Sequence, residues 1–210
     1  LSLVEKCRAE CDRAVVSVFV NPTQFGPNED LEAYPRDFEK DSALVRELGG
    51  DVLYAPEPEN MYAPDHATWV EVPALANTLC GLSRPIHFRG VCTVVLKLFM
   101  LAQPSLAVFG EKDWQQLAII KKMVSDLNVP VEVVVREADG LALSSRNVYL
   151  TPEERAQAPQ IRKSLEMAAG LAAGGERDAA RIIEAVRGYL AEHLPTGEED
   201  YISIVDPAVL

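Results

Sequence analysis

A chain of 210 residues, 48% hydrophobic and 25% charged, has the composition of a globular protein that buries a core of its own. Its formal net charge of -12 excludes a surface built for nucleic acid or anionic lipid, which needs a net basic face, but leaves room for a small polyanion held by a few local groups. The most apolar stretch, Val91 to Ala102, carries Lys97 and is too short to span a bilayer, and Cys7, Cys11, Cys80 and Cys92 form no CxxC pair, which points to reduced thiols and a cytoplasmic protein.

Leu1 to Arg13 is a charged amphipathic segment rather than a signal peptide, and reads as a helix with Leu3, Cys7 and Cys11 on one face. Ala14 to Val20 is an unbroken β-branched and aromatic run, expected as a parallel strand buried on both faces and stopped by Asn21-Pro22. Asp37 to Leu48 reads as a helix closed by Gly49-Gly50, and Asp51 to Pro56 as a second strand. Val91 to Ala102 follows as an apolar helix, Ser105 to Gly110 as a third strand, Trp114 to Leu127 as a helix and Val129 to Val135 as a fourth strand. Beyond Asn147 the character changes. Thr151 to Ala173 opens with an N-cap, a proline and two glutamates, Asp178 to His193 is a second helix, and Asp200 to Asp206 a short strand. The alternation predicts a doubly wound, Rossmann-like parallel α/β sheet over residues 1–135 and a small C-terminal α+β domain over 136–210.

Ligands on such sheets sit beyond the carboxyl ends of the strands, and three polar clusters fall there. Phe109 to Gln116 is a strand, a glycine turn and a helix start, with Lys112 at the tip; it suits a phosphate and equally a plain solvated helix cap. Leu143 to Asn147 sets two hydroxyls and a guanidinium in a row, either a phosphate clamp or an ordinary polar loop. Asn21 to Phe25 carries two carboxamides; turn chemistry accounts for Asn21, and Gln24 is the less expected residue. Arg84 and Arg89 stand ahead of the apolar helix as groups able to meet an anion, while His87 is given no chemistry. No zinc spacing, Walker A sequence, dinucleotide fingerprint or serine elbow occurs.

Six strings in order, "VVSVFVNPTQF", "DLEAYPRDFEKD", "RPIHFRGVCTVVLKLF", "FGEKDWQQL", "READGLALSSRNVYL" and "DYISIVDP", resemble the pantothenate synthetase (pantoate–β-alanine ligase) family of HIGH-type nucleotidyltransferases. The resemblance implies a pantoyl adenylate made from pantoate and ATP with release of pyrophosphate, then displacement of AMP by β-alanine. Matched motif by motif, it implies that Gln24 and Gln116 hold pantoate, that Gln24 also serves β-alanine, and that Phe19, Val91, Val94 and Val95 wall the apolar side. Gly110, Glu111, Lys112 and Asp113 would line the ATP site, and Leu143, Ser144, Ser145 and Arg146 would be the mobile triphosphate loop, with Lys112 and Arg146 as catalytic cations. Asp41 aligns with an acid used near magnesium, although Lys40 stands where a second acid can occur. The family's His-x-Gly-His motif would precede Leu1, the run before Gly140 is shorter than the family's, and its closing strand and helix would follow Leu210. A homodimer is implied as well. Another nucleotidyltransferase of this fold, or an ATP sensor without turnover, are the alternatives; the first would lack the Gln24 and Gln116 pair.

Overall fold

Short strands alternate with helices in the computed structural model, which describes residues 2–136, 141, 144–207 and 210. The chain folds as two compact units, Leu1–Glu137 with Ala208–Leu210, and Ala138–Pro207. The first unit opens with α1 (Ser2–Glu10), β1 (Val15–Ser17), the 3-10 turn η1 (Pro22–Gln24), α2 (Phe38–Glu47) and β2 (Val52–Tyr54). Three one-turn helices follow, α3 (Pro58–Met61), α4 (Pro73–Ala76) and α5 (Cys80–Ser83), and lead into the long α6 (His87–Ala102). It closes with β3 (Leu106–Gly110), η2 (Glu111–Asp113), α7 (Trp114–Asp126) and β4 (Glu132–Arg136).

Both strand pairs are parallel, as the strand–helix–strand rhythm requires. Val15, Val16 and Ser17 align with Val52, Leu53 and Tyr54, and Leu106 through Gly110 align with Glu132 through Arg136. Asp51 ties the start of the first ladder to α1, accepting from the Ala14 amide at 2.8 Å, Arg13 at 2.8 Å and Arg8 at 3.0 Å. The β1 strand is shorter than the run from Ala14 to Val20, and it is not buried on both faces. Val15 is 48% exposed and its ladder partner Val52 51%, and it is Tyr54, two residues on in β2, that packs on the core.

The core is organised by α6. Val91, Cys92, Val94, Val95 and Phe99 are buried against Ile119, Ile120 and Met123 of α7. The helix begins four residues before the apolar stretch, since His87 and Phe88 are themselves buried. It ends where Gln103 turns left-handed (φ 47) to donate to the Phe99 carbonyl at 2.8 Å, ahead of Pro104, which cannot continue a helix. The fourth strand begins at Glu132 rather than Val129: Pro130 has no N–H to offer a ladder, and Val131 turns back to the Val129 carbonyl at 2.8 Å.

The second unit carries the 3-10 turn η3 (Ser145–Tyr149), α8 (Pro152–Gln157), α9 (Gln160–Ala173) and α10 (Ala179–His193). The expected single helix from Thr151 to Ala173 is broken. Thr151 and Glu154 form a reciprocal cap for α8, and Pro159 then starts α9 instead of donating into α8. Ser164, Ile182 and Val186 are buried between α9 and α10, and Tyr189 Oη donates to Gln160 at 2.8 Å. The expected strand from Asp200 to Asp206 does not form; it has no ladder partner among the described residues.

Candidate active site

At the end of β1 the chain turns through Asn21, whose side chain is 1% exposed and fully bonded. Its Oδ1 accepts from Thr23 Oγ1 at 2.9 Å, from Tyr62 Oη at 2.9 Å and from the Thr23 amide at 3.4 Å. Its Nδ2 donates to the Gly90 carbonyl at 3.1 Å and to Gln24 Oε1 at 3.4 Å. Burial pushes the Tyr62 phenol above its ordinary 10, so it stays a donor. Asn21 is therefore the bolt of the corner. The Gln24 carboxamide accepts from Asn21, and its Nε2 donates to none of the described residues.

Helix α6 meets this turn by direct backbone contact. A Cβ on Gly90 would lie 2.5 Å from the Thr23 carbonyl oxygen and 2.7 Å from Gln24 Cα, so only glycine allows the approach. On the other flank, His87 Nδ1 lies 3.0 Å from the Gln24 carbonyl oxygen, and since a carbonyl only accepts, the proton sits on Nδ1. Arg84 Nη2 donates to the same oxygen at 3.4 Å, Arg84 Nη1 faces His87 Nε2 at 3.4 Å, and Arg84 forks onto Glu29 through Nε at 3.0 Å and through Nη2. Glu29 also accepts from the Gly26 amide at 3.1 Å.

The electrostatics follow from that wiring. Burial is the largest influence on His87 and takes it below its ordinary 6.5, against the opposing pull of the Gln24 bond, Glu29 and Asp113, and with the help of Arg84; the ring is neutral. Burial alone would raise the Glu29 carboxyl, but the hydrogen bonds from Arg84 and Gly26 outweigh it and hold the group below its ordinary 4.5. Asp113 reaches His87 by charge, so the end of β3 shares this neighbourhood with η1.

At that strand end Gly110 gives way to η2 and α7. Asp113 is the N-cap of α7 but makes no capping bond; its carboxylate instead pairs with Lys112 Nζ at 3.0 Å, both groups well exposed. The first amides of α7 are thus left without a side-chain acceptor, a ready place for an anion. The two glutamines that follow differ. Gln115 is buried and structural, with Nε2 donating to the Leu75 and Thr78 carbonyls at 2.9 and 2.8 Å and Oε1 accepting from the Cys80 amide at 3.1 Å. Gln116 is half-buried and its side chain bonds none of the described residues. Phe19 packs on the same core cluster as Val91, Val94 and Val95.

Other positions stand elsewhere. Arg89 is not an open cation: it lies over Trp69, 4.9 Å from the ring centroid, and 3.8 Å from Glu71. Asp41 is in the first turn of α2. Ser144 caps η3 by accepting from the Arg146 amide at 3.3 Å, and Arg146 is exposed, both in the second unit. Leu143 lies outside the described residues, as does the side chain of Ser145. Glu29, Tyr62 and Gln115 carried no sequence expectation; the only hint was the polar Arg-Pro-Ile-His string set against an apolar helix.

A family model described as pantoate–β-alanine ligase matches residues 1–210. A pantothenate synthetase from Nitratidesulfovibrio vulgaris (strain Miyazaki F) is 62% identical over 213 residues, covering 100% of this chain and 75% of the relative. Among solved structures, the pantothenate synthetase of Thermus thermophilus superposes with a TM-score of 0.95 at 48% identity, over 100% of this chain and 77% of that one. The pantoate–β-alanine ligase of Francisella tularensis, solved in complex with β-γ ATP and β-alanine, gives a TM-score of 0.75 at 34% identity, over 90% of this chain and 72% of that one.

Proposed function

The chain belongs to the pantoate–β-alanine ligase family, and on that premise we propose how its residues divide the ATP-dependent joining of pantoate to β-alanine. Pantoate lies against η1 and the first turns of α6 and α7. Gln24 and Gln116, whose carboxamides have donors to spare, bind its hydroxyls and carboxylate, and Phe19, Val91, Val94 and Val95 supply the apolar wall. ATP sets its phosphates at the amino end of α7, lined by Gly110, Glu111, Lys112 and Asp113, and Lys112 leaves Asp113 for the stronger charge of the triphosphate. Leu143, Ser144, Ser145 and Arg146 are assigned to the same nucleotide, Arg146 for its forked guanidinium.

The chemistry asks the protein for position and charge. Pantoate's carboxylate is already ionised near neutral pH and attacks the α-phosphorus without a base, giving pantoyl adenylate and pyrophosphate. Lys112 and the α7 amides neutralise charge that grows on the phosphates. The amine of β-alanine, oriented by Gln24, then attacks the acyl carbon and AMP departs. Magnesium is assigned to the nucleotide rather than to a resident site. Asp41 has Lys40 beside it, and the described residues contain no group of three His, Cys, Asp or Glu side chains that could hold a metal ion. The protein is also read as a cytoplasmic homodimer; among the described residues no helix is long and apolar enough to cross a membrane.

The observation that carries this reading is the start of α7 after β3 and η2, without a side-chain cap, with the Lys112 ammonium beside it. It is tested by the contrast of two variants a helical turn apart. Lys112→Ala lowers kcat by about 10²-fold, the usual size for one lost electrostatic donor, whereas Gln116→Ala raises the KM for pantoate and spares kcat. A Lys112→Ala enzyme with parental kcat and an altered pantoate KM would reject the assignment.

A further inference from the structure

We propose that Glu29, Arg84 and His87 are positioning residues that clamp the main chain at Gln24 and thereby set how tightly pantoate is held. The proposal rests on the reading of Gln24 as a pantoate contact. Two groups some 60 residues further along the chain converge on one peptide oxygen, His87 Nδ1 at 3.0 Å and Arg84 Nη2 at 3.4 Å on the Gln24 carbonyl, with Glu29 fixing the guanidinium from behind. The turn they hold is pinned by the Asn21 side chain but only loosely closed by its own main chain. Its internal bonds, Gln24 N to the Asn21 carbonyl and Phe25 N to the Pro22 carbonyl, are 3.4 and 3.3 Å long, at the weak end of the range. Gly90 blocks movement on the opposite side and Asn21 holds the turn from within, so the clamp is what fixes the Gln24 carbonyl itself.

The clamp works in one protonation state. With the proton on Nδ1, His87 offers Nε2 as an acceptor to Arg84 Nη1 at 3.4 Å. A second proton would set two donors against each other. The charged groups facing the ring are Arg84, Glu29 and Asp113; the two carboxylates favour that proton, and burial together with Arg84 opposes it. Only on acidification beyond the ordinary imidazole range is the neutral ring lost, and the clamp then loosens.

Calorimetric titration of pantoate and of ATP into the whole protein tests this, with Gln24→Ala as reference. Loss of one charged hydrogen bond in the clamp corresponds to about tenfold in affinity. Glu29→Gln and Arg84→Lys, the conservative exchanges at these positions, should each weaken pantoate by that factor while ATP changes less than about twofold. His87→Asn can donate from the place of Nδ1 and should stay near the parent, with a flat response on acidification; His87→Gln cannot and should match Arg84→Lys. Equal behaviour of the Asn and Gln variants would overturn the proposal, as would parental pantoate affinity in all clamp variants when Gln24→Ala is weakened. Parental affinity in Gln24→Ala would instead remove the pantoate role of Gln24, and the clamp's purpose with it.

Discussion

Gly90→Ala sets two effects of opposite sign against each other at the contact between α6 and η1. Alanine inside a helix is favoured over glycine by roughly 1 kcal/mol, so in an open helix the change would stabilise. Here the new methyl would stand 2.5 Å from the Thr23 carbonyl oxygen, 2.6 Å from its carbon and 2.7 Å from Gln24 Cα. All three obstacles are backbone, so η1 must retreat by roughly 1 Å to restore ordinary contact, at the upper end of the ~1–3 kcal/mol seen for overpacking. The net loss is about 2 kcal/mol, or a melting temperature lower by about 5–8 °C for a unit of this size. Because the displaced turn carries Gln24, kcat/KM for pantoate should fall by roughly 10²-fold, the usual effect of a misplacement of about 1 Å. Differential scanning calorimetry and steady-state kinetics read the two numbers. A variant at least as stable as the parent, with unchanged pantoate KM, would refute the contact and the argument built on it.

Gln115→Ala should cost about 1–3 kcal/mol of stability, since it removes three buried hydrogen bonds and leaves the Leu75 and Thr78 carbonyls to the Thr78 hydroxyl and the Gly81 amide, yet leave pantoate KM unaltered in kinetics; that is the reverse of Gln116→Ala. Acid should act in two windows of a melting-temperature series. The depressed His87 contributes stability that is whole above pH 6.5 and declines as pH falls below it; the depressed Glu29 does the same below its ordinary 4.5. His87→Asn should flatten the first window and Glu29→Gln the second, and unaltered slopes in both would contradict the assigned network. The Cys92 thiol is buried and pushed up to about 12, so iodoacetamide under native conditions should leave it unlabelled in a peptide map until the protein unfolds. Light scattering at micromolar concentration should give the mass of a dimer.

Periodicity made the parallel α/β order legible, because β-branched runs and apolar helices have different spacings. It failed where a tertiary partner decides. Val15 and Val52 have the composition of buried strand residues and are half exposed, and Asp200 to Asp206 alternates like a strand with no ladder to join among the described residues. Pro159 is a helix breaker inside the run from Thr151 to Ala173, which otherwise reads as one helix. At the site, the paired Gln115 and Gln116 look alike in sequence, yet a step of about 100° around α7 buries one and leaves the other half-open. The clamp on Gln24 was not legible at all: Glu29 lies 55 residues from Arg84 and His87 63 from Gln24, and no local pattern records such a meeting.

The central claim, that pantoate is activated as an acyl adenylate, is tested most directly by pantoate carrying ¹⁸O in both carboxylate positions. Attack of that carboxylate on the α-phosphorus, followed by displacement of AMP by β-alanine, leaves one ¹⁸O on the phosphate of AMP and one in the new amide. Mass spectrometry of the nucleotide after a single turnover should therefore find singly labelled AMP together with unlabelled pyrophosphate. ADP with label in inorganic phosphate would contradict the account and replace the adenylate with an acyl phosphate.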